Sequence, residues 1–145
     1  MDPINRRILD ELQRDGRVSL AELARRLQVS PPTVAERLSR LESAGVIRGY
    51  HAEVDPLAAG YPLSVIIRVR PAPRQLHKIV ELAPRLHEVV ECHRITGDDC
   101  FLIKAHVRDV LHLEQLIDQL AAYGETTTSI IQSSPVPRRG VSVLD

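Results

Sequence analysis

The sequence predicts an α+β protein built from two parts. An N-terminal (winged) helix-turn-helix unit spans residues 1–50, an extended linker strand and turn occupy 51–62, and a ferredoxin-like βαββαβ (ACT-like) domain fills 63–145. Two observations lead there. Apolar residues recur at helical spacing three times before Tyr50, each time behind a capping residue. Beyond Pro62 the period changes, and the order becomes strand, helix, strand, strand, helix, strand.

The first helix is expected from Asp2 to Arg14. Asp2 caps it, Pro3 suits the first helical position, Ile4, Ile8 and Leu12 form the buried stripe, and Gly16 ends it. Ser19 and Glu22 have capping-box spacing, the serine hydroxyl accepting from the N3 amide and the glutamate reaching back to the serine amide. Leu20, Leu23, Ala24 and Leu27 then make a second stripe. Ser30 caps the third helix, Pro31 begins it, and Val34, Leu38 and Leu41 face inward. Gly45 suits the left-handed residue that closes a helix.

After His51–Asp55, the residues Pro56, Gly60 and Pro62 mark a turn. Leu63, Val65, Ile67 and Val69 alternate with Ser64, Arg68 and Arg70, which reads as a strand with one buried face. Gln75–Leu86 returns to helical spacing. Val89–Ile95 and Phe101–Val107 read as strands joined by Thr96-Gly97-Asp98-Asp99. A helix over Val110–Leu120 and a final strand over about Thr126–Ser133 complete the order. Two helices cover one sheet face; Ile66, Val90 or Cys92, Leu102 and Ile131 are candidates for the other. An open apolar sheet face points to a partner, here a second copy.

Composition sets outer bounds. With 43% apolar residues among 145, the chain can build two small cores. No apolar run approaches the ~20 residues of a membrane span, and a helix cap stands where a secretory leader would be apolar. A cytoplasmic protein with reduced Cys92 and Cys100 is expected. Net charge is zero, but residues 1–50 carry nine arginines against seven acids. A head so mildly basic needs a second copy to hold DNA well.

The third helix carries more than packing requires. At about 100° per residue, Pro32, Thr33, Glu36, Ser39 and Arg40 point outward and Arg37 lies at the margin. A helix placed after a capped partner and a short turn is the one a helix-turn-helix lays in the major groove. Ser30, Pro32, Thr33, Glu36, Arg37 and Arg40 are therefore the candidate contacts to double-stranded DNA. A solvated charged face is the commoner fate of an isolated helix; the paired geometry favours binding.

Asp2-Pro3-Ile4-Asn5-Arg6-Arg7-Ile8-Leu9, Ser30-Pro31-Pro32-Thr33-Val34-Ala35-Glu36-Arg37, and Leu41-Glu42 with Gly45–Tyr50 together resemble the feast/famine, or Lrp/AsnC, regulators. The resemblance covers essentially the whole chain. It implies a transcriptional regulator that is not an enzyme, dimerises, assembles to tetramers or octamers, bends DNA, and binds an amino acid in its C-terminal domain. The family's Gly-Asp-x-Asp loop corresponds to Gly97, Asp98, Asp99 and Cys100, and its Thr-x-Thr to Thr126 and Thr128. A carboxylate there can hold an α-ammonium, and hydroxyls can hold an α-carboxylate. Cys100 stands where the family has a carboxylate, so the effector is either atypical or absent.

No metal or other cofactor is expected: Cys92 and His93 are adjacent on a strand and point to opposite faces. Two other readings use the same layout. One is an architectural DNA protein without an effector. The other is an enzyme resembling the haem-pathway sirohaem decarboxylases, although no Ser-His-Asp or Cys-His arrangement and no phosphate loop is present.

Overall fold

In a computed structural model, which describes residues 1–143, the elements are α1 (Pro3–Arg14), α2 (Leu20–Leu27), α3 (Pro31–Ser43), β1 (Leu63–Pro71), α4 (Leu76–Leu82), β2 (Val89–Arg94), β3 (Phe101–Val107), α5 (Val110–Ala121) and β4 (Gly124–Ile130). They form two compact units. The first is Met1–Glu53 together with residues 135–143, and the second is Val54–Ser134. The last segment thus packs with the helices, whereas the order of elements along the sequence places it in the sheet domain.

Capping chemistry starts each helix of the first unit. The Asp2 carboxylate accepts from the amides of Ile4 and Asn5 at 2.9 and 3.3 Å. Ser19 Oγ accepts from the Glu22 amide at 3.1 Å, but the reciprocal half of the expected capping box is not formed. The Glu22 carboxylate instead takes Arg25 Nη2 at 2.6 Å and Arg26 Nε at 2.8 Å. Two guanidiniums within a turn are stronger donors than one neutral amide, and they hold the Glu22 carboxyl at about 2. α1 stops at Arg14, ahead of Gly16, with Asp15 as its cap.

Ile8, Leu9, Leu23, Ala24, Leu27, Val34 and Leu41 make the core of this unit, with Leu12, Leu38 and Val143 packed around them. Leu20, expected on the apolar stripe, is 43% exposed at the first position of α2 and is not part of the core. Gly45 closes α3 at φ 68°. Its amide donates to Glu42 O at 2.9 Å and that of Val46 to Leu41 O at 3.0 Å, so two otherwise orphaned carbonyls are satisfied.

The second unit is a four-stranded antiparallel sheet in the order β2-β3-β1-β4. Val65, Ile67 and Val69 of β1 and Phe101, Ile103, Ala105 and Val107 of β3 face Ile79 of α4 and Leu113, Leu116 and Leu120 of α5. Each large side chain so buried contributes about 1.5–3 kcal/mol. Ile103 has no solvent exposure, and truncating it to alanine would cost about 2–5 kcal/mol.

Element ends depart from expectation for local reasons. The helix expected over Gln75–Leu86 is α only to Leu82 and tightens into a 3-10 turn at Ala83–Arg85, because Pro84 has no amide to donate. β4 runs from Gly124 to Ile130, and a last hydrogen bond from the Ile131 amide to Ser64 O at 2.8 Å closes its pairing with β1 near the start of that strand. Residues 51–55 carry no strand, since an extended segment becomes one only beside a partner ladder, and none of the described residues provides it. Cys92 pairs with Ile103 and so shares the helix-covered face, not the open one.

Candidate DNA interface and effector site

Local chemistry sets the face that α3 presents. Ser30 Oγ accepts from the Thr33 amide at 3.3 Å and shares a 2.7 Å hydrogen bond with Thr33 Oγ1. With Pro31 and Pro32 in its first turn, the helix begins sharply, and Pro32, Glu36, Ser39 and Arg40 are exposed along one side. Thr33 is half-buried. Arg40 Nη2 donates to Glu36 Oε1 at 2.5 Å across one turn. Glu36, an awkward residue against phosphate, therefore has an intramolecular partner.

Arg37 has a different position from Arg40. Its Nη1 donates to Asp2 Oδ1 at 2.8 Å and to Asn5 Oδ1 at 2.9 Å. The side chain is 28% exposed, against 77% for Arg40. Partial desolvation works against the Asp2 carboxylate, but the amides of Asn5 and Ile4 together with Arg37 outweigh it and lower its pKa. Of the six candidate DNA residues, five thus line the outer side or first turn of α3, while Arg37 braces α3 on the start of α1. Beyond α3, Tyr50 Oη donates to Glu42 Oε1 at 2.8 Å and pins the chain leaving the unit. Burial, then the Glu42 carboxylate, pushes the Tyr50 phenol up to about 12.

The candidate effector residues do not come together: Gly97, Asp98 and Asp99 lie in the β2–β3 turn, Thr126 and Thr128 on β4, and Cys100 apart from both. Asp98 and Asp99 come directly after Gly97 in the β2–β3 turn. Asp99 meets Arg68 Nη1 at 3.4 Å and Arg70 Nη2 at 3.8 Å, and Asp98 also meets Arg70 Nη2 at 3.8 Å. Arg70 reaches Glu125 as well, at 4.0 Å. Arg68 and Arg70 lie on the open face, opposite the buried Val65, Ile67 and Val69 in the alternation of β1. Thr128 pairs with Ile67 and so lies on the helix-covered face, where alternation also places Thr126. The Thr128 hydroxyl is buried and has no hydrogen-bond partner among the described residues.

Cys100 belongs with neither group. Its backbone is left-handed at φ 50°, its Sγ lies 3.7 Å from Asp98 O and 4.0 Å from Gly97 O, and its side chain packs against the sheet core. Arg68, Arg70 and Glu125 join the turn without any motif that marks them in the sequence. Period-two alternation places both arginines on the open face; their pairing with a turn about 30 residues later depends on β1 lying beside β3. His93 pairs with Glu91 at 3.1 Å, and among the described residues no group of three or more His, Cys, Asp or Glu is placed to hold a metal ion. No helix among them is long and apolar enough to cross a membrane.

Comparison with known proteins accounts for both units. Residues 1–48 match the winged helix-turn-helix DNA-binding family model, and residues 64–141 match the Lrp/AsnC ligand binding domain. The HTH-type transcriptional regulator LrpC of Bacillus subtilis is 32% identical over 140 residues, covering 97% of each chain. Its solved structure superposes with a TM-score of 0.91 over 95% of this chain and 99% of that one. The leucine-responsive regulatory protein of Escherichia coli K12 is 35% identical over 138 residues, covering 90% of this chain and 84% of its own. A transcriptional regulator from Neisseria meningitidis, solved as an L-Met complex, is 26% identical with a TM-score of 0.88, covering 96% of this chain and 94% of its own. A helix-turn-helix joined to a βαββαβ sheet of this topology, and matched along nearly its whole length, identifies the chain as a member of the Lrp/AsnC family of transcriptional regulators, with a DNA-binding domain and a ligand-binding domain.

Proposed function

We propose that this chain binds double-stranded DNA through the outer side of α3 and that an amino acid bound in the sheet unit modulates that binding. The observation that carries the DNA reading is the freedom of Pro32, Glu36, Ser39 and Arg40 from any packing role, on a helix whose other side is locked by Val34, Leu41 and Arg37. Pro32 and Thr33 near the helix start suit base edges, while Arg40 suits phosphate or guanine. Ser30 keeps the helix start rigid.

The effector reading rests on Asp98, whose carboxylate is 90% exposed at the turn and is free to take an α-ammonium by exchanging its weak contact with Arg70. Arg70 keeps its contacts with Asp99 and Glu125 at 3.8 and 4.0 Å when Asp98 lets go, and both are long enough for a ligand carboxylate to compete for the guanidinium. Because Thr126 and Thr128 lie on the other sheet face, both halves of the expected set can meet one ligand only with a second copy supplying one of them. The L-Met complex of the Neisseria regulator supports an amino acid as the ligand class. Ile66, Leu102 and Ile131 on the open face provide the apolar contact for a homodimer, which further assembly would extend to a tetramer or octamer.

A thermal-shift screen of the twenty amino acids, and then footprinting on the promoter of its own gene with and without the ligand found, tests this reading. A stabilising amino acid that alters the footprint is the expected result. In Asp98→Ala that response is lost while the fold survives. A response that persists in Asp98→Ala removes the turn from the site. Cooperative coating of DNA without a discrete site, unaffected by any amino acid, would replace regulation with an architectural role.

A further inference from the structure

The chain crosses between the two units twice, once near Glu53 and again after Ser134. The second crossing begins four residues beyond the end of β4, the strand that carries Thr126 and Thr128. The segment beyond this crossing is anchored to α1. The Val141 amide donates to Gln13 Oε1 at 2.7 Å, and Gln13 Nε2 donates to Val141 O at 3.0 Å. One side-chain amide thus satisfies both backbone groups of one residue, as a neighbouring strand would.

Two neighbours of Val141 reinforce this contact. Gly140 lies so close to Gln13 that a Cβ would fall 2.4 Å from its Oε1 and 2.7 Å from its Cδ. Val143 is half-buried and packs against the helical core. Asp10, Gln13 and Arg14 on α1 and Val141 and Ser142 on the segment line a shallow groove between them. Residues 135–142 are themselves exposed, so the segment is held at points and not buried: through the backbone of Val141 on Gln13, through the close approach of Gly140, and through the half-buried Val143.

We propose that residues 135–143 are a strap that docks on the outer face of α1 and gives the DNA-binding unit a second covalent tether to the sheet unit. With one tether, the reading head samples a wide range of orientations. With two, that range narrows, and two heads of an assembly are held closer to the fixed spacing that a pair of half-sites demands. The strap therefore acts on binding to two half-sites and not on the contact of one head with one half-site.

The test uses the full chain with Gln13→Ala, which removes both hydrogen bonds while keeping a good helix former, and separately Gly140→Val, which blocks the close approach. In the wild type, the Val141 amide is expected to exchange with solvent at least ~10-fold more slowly than an unprotected amide. Trypsin is expected to release the peptide after Arg138 or Arg139 slowly. Both variants should accelerate exchange and release, leave binding to a single half-site unchanged, and weaken binding to DNA with two half-sites by roughly 3- to 10-fold. Unprotected Val141 in the wild type would overturn the docking. Unchanged two-site affinity in a variant with a released strap would overturn the tether. The exchange and proteolysis measurements need no DNA, so they decide the docking whatever becomes of the DNA-binding reading.

Discussion

Arg37 donates to the Asp2 carboxylate at 2.8 Å, and that same oxygen accepts the Ile4 amide that caps α1. One carboxylate oxygen therefore starts the first helix and anchors α3. Arg37→Ala should lower the urea midpoint of unfolding measurably but modestly, because Asp2 is nearly half exposed. The salt slope of DNA binding should stay as in the wild type. A reduced slope with unchanged stability would place Arg37 on phosphate instead.

Arg40 should behave in the opposite way. If it meets a phosphate, Arg40→Ala weakens binding on all sequences and lowers the salt slope by about one, while unfolding changes little, since its pair with Glu36 is exposed on both sides. Glu36→Gln removes both the competing ion pair and a negative charge near DNA, and binding should tighten. Gel shifts across a salt series separate these outcomes. No change in either variant would take this side of α3 out of the interface.

Thr128 offers a test in which stability and response move in opposite directions. An unpaired buried hydroxyl costs about 1–3 kcal/mol, so Thr128→Val, which keeps the shape, should raise the melting temperature of the unliganded protein. If the hydroxyl serves the effector, the same variant loses its amino-acid response. A lower melting temperature would mean that the hydroxyl is satisfied in solution.

Glu22 makes the helical unit sensitive to acid. Its carboxyl lies at about 2 in the fold against an ordinary 4.5, held there by Arg25 and then Arg26. The stabilisation is complete above pH 4.5 and is lost as the pH falls through about 2. Glu22→Gln should flatten this part of the acid-unfolding curve and leave stability near pH 3 less dependent on pH. A curve identical to the wild type would assign the acid transition to other carboxylates.

Helix caps and strand alternation are legible in the sequence because they are local. Asp2, Ser19, Ser30 and Gly45 act on residues within one turn, and β1 shows its two faces in nine consecutive residues. Even there, side-chain choices among neighbours are not legible. Glu22 has Arg25 and Arg26 within reach as well as the Ser19 amide, and spacing alone does not rank a charged donor above a neutral one.

By itself, the sequence determined three capped helices with a free outer side on the third, a break at Pro56–Pro62, and a βαββαβ order, because each depends on residues a few positions apart. Tertiary structure alone decided that Arg37 braces α1, that Asp99 pairs with Arg68, that Thr128 faces away from the turn it was expected to join, and that Val141 docks on Gln13. The physical reason is distance along the chain. These pairs lie roughly 30 to 130 residues apart, and only strand register and helix packing bring such partners within hydrogen-bond reach.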